Sequence, residues 1–169
     1  MSRLSPTTQE VITLFSGKTV LIPKCELVFN IWKGSPVKDD YGGKQVIDYD
    51  GKPFFAELAV LKILEEEGIS GVWVDSYGKC LRKEMPPTKL PYSALAGTAS
   101  EIFNAITKAV GKNGGCWDIF AWEGKSILFV ECKRSKKDSI RDSQVVWFEQ
   151  CLKLGLQPEN FLLVQWYIK

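Results

Sequence analysis

The stretch "GGCWDIFAWEGKSILFVECKRSKKD", Gly114 to Asp138, decides the fold. It reads as two apolar, β-prone runs, CWDIFAW and SILFVECK, joined by EGK as a hairpin turn. In the second run Ile127, Phe129, Glu131 and Lys133 share one face, and Leu128, Val130 and Cys132 share the other. A strand apolar on both faces belongs in the middle of a sheet, covered by helices. Two charges at the end of such a strand lose their hydration unless they are paired or bound to metal. Asp118 stands between Trp117 and Ile119 at the start of the partner run, close enough across the hairpin to approach Glu131. A buried Glu131–Lys133 ion pair is the plain reading, and the rest of the chain has to be weighed against it.

Glu-x-Lys is weak evidence by itself: this composition gives ~1.3 such pairs by chance, and the chain has Glu123/Lys125 as well as Glu131/Lys133. The first pair flanks Gly124 in the turn, where charge is ordinary; the second ends the apolar strand. Outward from the hairpin, "PFFAELAVLKILEEEG" predicts a helix from about Pro53 that Gly68 closes. Its Glu57 shares a face with Leu61 and Leu64 and therefore points toward the core. A last helix over roughly Ser139–Leu154 carries the stripe Ile140, Gln144, Trp147, Phe148 and Cys151, and leads into a terminal strand, "FLLVQWYI".

"GVWVDSY" reads as a strand, and Leu95, Ala99, Ile102, Phe103, Ile106 and Val110 mark an amphipathic helix from about Tyr92 to Val110. The succession of helices and strands predicts an α/β fold, a central mixed β-sheet flanked by helices. Residues 1–16 read as a short helix or arm. "TVLIPKCELVFNIWKG" reads as two short strands separated near Pro23, and "SPVKDDYGGKQVIDYDGKP" and "CLRKEMPPTKLP" as loops. One domain is expected, with its core over about 53–168 and residues 1–50 as an N-terminal elaboration.

Composition narrows the chemistry. No apolar run approaches the roughly 20 residues of a membrane span, and "MSRLSPTTQE" lacks the layout of a secretory signal. A cytoplasmic protein without a membrane partner is expected. The five cysteines are scattered, and there is no histidine. Any metal is then held mainly by oxygen, which favours hard cations such as Mg²⁺ or Mn²⁺. Net charge is only +2, but "KRSKKDSIR", residues 133–141, carries five basic side chains and one acid. Such a run is either a solvated face or a patch that tracks phosphates. Three carboxylates (Glu57, Asp118, Glu131) in apolar settings, with Lys133 and Gln144, make sense together around a cation. The acids concentrate the metal, the lysine orients water or meets charge building on phosphate, and the amide positions without adding charge.

These residues resemble the core of the PD-(D/E)XK nuclease superfamily. "CWDIFAW…ILFVECKRSKKDSIRDSQVVWFEQCLKLG" is similar, more specifically, to the virus-type replication-repair nuclease (VRR-NUC) domain. Cys132 stands where that family has valine, Trp117 where the superfamily often has proline, and RSKKD lacks the family's frequent glycine or proline. The resemblance implies a restriction-endonuclease-like core of αβββαβ type and a divalent-metal-dependent DNA nuclease. Glu57, Asp118, Glu131, Lys133 and Gln144 are then the catalytic set. Glu57, Asp118, Glu131 and the backbone carbonyl of Cys132 would ligate Mg²⁺ or Mn²⁺, and Arg134, Lys136, Lys137 and Arg141 would contact nucleic acid. It further implies structure-selective cleavage of branched or flap DNA in repair or replication, in a bacterium or phage. Acting on two strands favours a homodimer. The alternatives are a non-catalytic DNA- or protein-binding module on the same fold, and the nuclease of a restriction or toxin system.

Overall fold

The computed structural model describes residues 2–111 and 114–169. Its N-terminal half comprises β1 (Thr8–Thr13), β2 (Thr19–Ile31), β3 (Ile47–Tyr49), β4 (Lys52–Phe54), α1 (Ala56–Glu66), β5 (Ser70–Asp75) and β6 (Cys80–Arg82). Then follow α2 (Gly97–Val110), β7 (Ile119–Glu123), β8 (Ser126–Arg134), α3 (Asp142–Lys153) and β9 (Phe161–Ile168). The fold is α/β, with one large mixed sheet and three α-helices among the described residues. None of these helices is long and apolar enough to cross a membrane.

The hairpin forms as its alternation dictates. Ile119 pairs with Val130 and Glu123 with Ser126, so the turn is Gly124–Lys125, and the Glu123/Lys125 charges stay exposed there. β8 lies between β7 and β9, in the strand order β4-β3-β2-β9-β8-β7-β5-β6, with β1 alongside β2. β9 runs parallel to both β2 and β8, and the other pairings are antiparallel. The two faces of the sheet carry separate cores. One packs Leu58, Leu61 and Leu64 of α1 against Ile119, Val130 and Cys132. The other packs Phe103 of α2 and Trp147 and Phe148 of α3 against Phe120, Phe129 and Phe161. Phe129 is the hub of the second core, with ring centroids 5.1 Å from Phe120, 4.6 Å from Trp147 and 5.8 Å from Phe161.

The N-terminal expectations need correction. Residues 8–13 form a strand, not a helix or arm, and β2 passes through Pro23 without a break. Leu14 N–H donates to Lys18 O, so along the β1–β2 ladder Gln9 and Pro23 fall opposite each other as a pair that exchanges no hydrogen bonds. On the other side, pairing with β9 starts one residue later, at Lys24 with Leu163. The missing proline donor is therefore not needed. The expected loop over residues 35–53 is irregular only as far as 46, and then forms the β3–β4 hairpin. Cys80–Arg82, within another expected loop, adds a short edge strand to β5. The helix expected from Tyr92 begins with a 3-10 turn at Tyr92–Ala94, and α2 proper starts at Gly97.

Truncating Phe129 to alanine should remove about 3–5 kcal/mol of stability, the usual cost of deleting a core aromatic. Urea unfolding followed by tryptophan fluorescence measures it, and a cost below 1 kcal/mol would show that Phe129 is not the hub.

Candidate active site

The sheet gathers the polar residues at one end, where β8 finishes and β7 begins. Glu131 and Lys133 lie on the α3 face of β8 with Phe129, and both are buried. Opposite them Asp118 immediately precedes β7, placed by its neighbours. Trp117 is fully buried, stacked on Phe148 at 5.6 Å and edge-on to Phe161 at 5.0 Å. Gly115, at φ +92°, lies so close to the Ser143 carbonyl that any side chain there would collide with it. The approach to Asp118 is thus clamped against the start of α3.

Hydrogen bonds then tie the acids together. Asp118 N–H donates to Glu131 Oε2 at 3.2 Å, and Cys132 N–H donates to Asp118 Oδ2 at 2.9 Å. Lys133 Nζ lies 2.8 Å from Glu131 Oε1 and donates to Gln144 Oε1 at 3.0 Å. Gln144 Nε2 returns a bond of 2.6 Å to Glu131 Oε1, and Gln144 Oε1 also accepts from Arg141 N–H at 3.0 Å, capping α3. Glu57 enters from the opposite face of the sheet, in the first turn of α1. Its Oε1 pairs with Lys44 Nζ at 2.7 Å, while Oε2 is buried without a partner among the described residues.

Glu57, Asp118, Glu131, Cys132, Lys133 and Gln144 all line one cavity of about 330 Å³. The residues singled out from sequence as the acid, lysine and glutamine set are therefore brought together from α1, β8, α3 and the residue just before β7. The basic residues divide. Arg141 lines this same cavity, while Arg134 and Lys137 line an adjoining one of about 250 Å³. Arg134 lies over the ring of Trp166, 5.5 Å from its centroid. Lys136 is exposed on the turn after β8, at φ +60°.

The electrostatics follow from crowding. Burial, then the charges of Glu131 and Glu57, push the Asp118 carboxyl well above the usual carboxylate range. Burial also raises Glu131, against the pull of Lys133 and of the Gln144 hydrogen bond. Burial would lower the Lys44 ammonium, but the charge of Glu57 and their hydrogen bond carry it upward. No three Cys, Asp or Glu side chains among the described residues converge as a ready-made metal cage. Lysines stand against two of the three carboxylates instead. A hard cation nevertheless fits the donor chemistry. The ligands are oxygens, Glu57 Oε2 is orphaned, and the lone hydrogen bond on Glu131 Oε2 leaves that oxygen a lone pair.

Sequence reasoning missed four residues here. Lys44 and Tyr41 come from an irregular loop with no periodicity to place them. Asp75 ends an apolar strand, the same signal that marked Glu131, and its position was legible. It accepts from Arg82 Nε at 2.8 Å and from Gly78 N–H at 2.8 Å, and is buried in the lining of the same cavity. Asp138 takes the Arg134 N–H at 3.2 Å and closes the basic turn.

The chain matches no protein-family model, no curated protein and no solved structure.

A carboxyl held above its unfolded pKa contributes stability that is present at low pH and lost as pH rises through the folded value. In EDTA at neutral pH, Asp118→Asn should therefore melt a few degrees above wild type. The gap should close as the pH is lowered and the Asp118 carboxyl takes up its proton. Differential scanning calorimetry across pH tests this; a lower melting temperature at neutral pH would contradict it.

Proposed function

We propose that the chain is a divalent-metal-dependent nuclease that hydrolyses DNA phosphodiester bonds. The observation that carries this reading is the meeting of Glu57, Asp118, Glu131, Lys133 and Gln144 on one cavity, with a buried carboxylate oxygen left unpartnered. Support for a restriction-endonuclease-like core comes from the order α1, β5, β7, β8, α3, β9, a helix, three antiparallel strands, a helix and a strand parallel to β8. β6 and α2 are insertions in that αβββαβ succession.

Glu57, Asp118 and Glu131, with the Cys132 carbonyl, would hold Mg²⁺ or Mn²⁺. When bound, such a cation neutralises charge on a phosphate and makes water more acidic. The protein's own groups do the positioning. Lys133 spends two of its three N–H donors on Glu131 and Gln144, which fixes its ammonium and leaves the third for water or a phosphate oxygen. Gln144 holds Glu131 and Lys133 in register without adding charge. In the hydrolysis, a water oxygen bonds to phosphorus, one P–O ester bond breaks, and the water's proton ends on the departing oxygen or in solvent. Arg134, Lys137 and Arg141 border the cavities where a backbone would pass, with Lys136 outside them. A homodimer would present two such sites to two strands, and branched or flap DNA is the substrate class the sequence resemblance suggests.

Of linear, flap, four-way and single-stranded DNA, the flap or four-way forms should be cleaved preferentially in Mg²⁺ or Mn²⁺, and all four left intact in EDTA. Glu131→Ala and Lys133→Ala should each lower the rate by about 10²-fold or more. Binding with no cleavage of any substrate would favour a DNA-binding module instead, and cleavage that survives both substitutions would overturn the site.

Arg134→Ala and Lys137→Ala should weaken DNA binding uniformly across sequences. Each should reduce the salt slope, d log K/d log[salt], by about 1. Fluorescence anisotropy at several salt concentrations reads this, and an unchanged slope would remove these residues from the interface.

A further inference from the structure

The irregular segment between β2 and β3 delivers a cation into the acid cluster. Lys44 Nζ lies 2.7 Å from Glu57 Oε1, its charge also reaches Asp118, and its ammonium stands 5.6 Å and 5.8 Å from the ring centroids of Phe55 and Trp73. An anchor three residues earlier sets its path. The Tyr41 hydroxyl donates to Asp75 Oδ2 at 2.5 Å, and the Tyr41 ring packs on Phe55 and Trp73 with centroids 5.6 Å and 6.2 Å away. Gly42 and Gly43, at φ +73° and +111°, make the turn that brings Lys44 back from the anchor, and Lys44 N–H donates to Asp40 O at 2.7 Å. Lys44 lines both cavities: the acid one, and the adjoining one it shares with Arg134 and Lys137.

We propose that Lys44 is the resident counterion of this site, competing with the divalent cation for Glu57. Its ammonium neutralises the carboxylates before the cation arrives. When it leaves Glu57 the ammonium joins Arg134 and Lys137 at the adjoining cavity, where it can meet a phosphate of the bound strand. The inference rests on the metal-dependent reading above. Its physical basis is that two positive charges within a few ångströms of one buried carboxylate repel each other strongly in a medium of low dielectric. Occupancy of Glu57 by Lys44 and by the metal are therefore coupled, each weakening the other by the same factor. Tyr41 is a positioning residue: it holds the strap that holds the lysine.

The test is Mn²⁺ binding to the whole chain without DNA, followed by isothermal titration calorimetry and by the free-ion electron paramagnetic resonance signal. Lys44→Met should bind Mn²⁺ roughly tenfold tighter than wild type, within the usual range of coupling between sites. Tyr41→Phe, which frees the strap without touching charge, should fall between the two. Glu57→Gln should bind more weakly. In EDTA, Lys44→Met should melt below wild type and gain more on addition of Mn²⁺, because the acids have lost their internal partner. Lys44→Gln repeats the comparison if the Met variant does not fold. Mn²⁺ affinity that weakens on Glu57→Gln but is unchanged or lowered in the folded Lys44 variants overturns the counterion role and leaves the metal site standing. No Mn²⁺ binding by any form, wild type included, overturns both.

Discussion

The amide of Gln144 ties the molecule's polar interior together. Its Nε2 donates to Glu131, and its Oε1 accepts from Lys133 and from the backbone of Arg141 at the start of α3. A helix terminus, a strand end and an ion pair are thereby fixed by one neutral group. A carboxylate in its place would add a further negative charge beside Glu57, Asp118 and Glu131. An aliphatic side chain would remove one hydrogen bond each from Glu131, Lys133 and the Arg141 N–H, and leave the Glu131–Lys133 pair held only by itself. Everything on the α3 face depends on that helix starting where it does, since Trp147, packed on Phe129, and Phe148, packed on Phe161, follow three and four residues after Gln144.

The acid cluster imposes a cost that the two cores have to offset. Burial and the charges of Glu131 and Glu57 penalise the ionised Asp118, and burial penalises Glu131, so the folded chain is least comfortable where these acids meet. Lys133 and Lys44 relieve this from the two faces of the sheet. They are not equivalent. Lys133 is locked between Glu131 and Gln144 on a central strand, whereas Lys44 hangs from a loop fastened at Tyr41. One lysine stands on a central strand of the sheet, and the other on the irregular segment between β2 and β3.

What could be read from sequence follows the burial of each element. β5, β7, β8, β9, α1 and α3 have strongly patterned or wholly apolar stretches, and the sequence placed each of them within a few residues. β1 and β2 expose Val11, Leu21 and Val28, so the alternation that would announce a strand is blurred, and Pro23 reads as a break. β3, β4 and β6 are three residues each, too short for any period to show. In the site, Glu57, Asp118, Glu131, Lys133 and Gln144 were legible because each interrupts an apolar pattern. Lys44 interrupts nothing. Its place depends on a loop path that a turn at Gly42–Gly43 and a contact to Asp75 determine; the glycines announce a turn, but the contact that aims it is 34 residues away in sequence.

The position of β9 bears on how the chain reaches this state. The ninth strand in chain order is not at an edge but between β2 and β8, bonded in parallel to both. Until residues 161–168 are in place, the β1–β4 portion and the β5–β8 portion share no ladder, and β2 and β8 both offer unpaired edges. Closing contacts between residues about 140 apart in sequence, such as Lys24 with Leu163, makes assembly a slow, late event. During translation, therefore, the strand bearing Glu131 and Lys133 would wait as an open, aggregation-prone edge, and sealing that edge would join the two halves of the sheet in the same step.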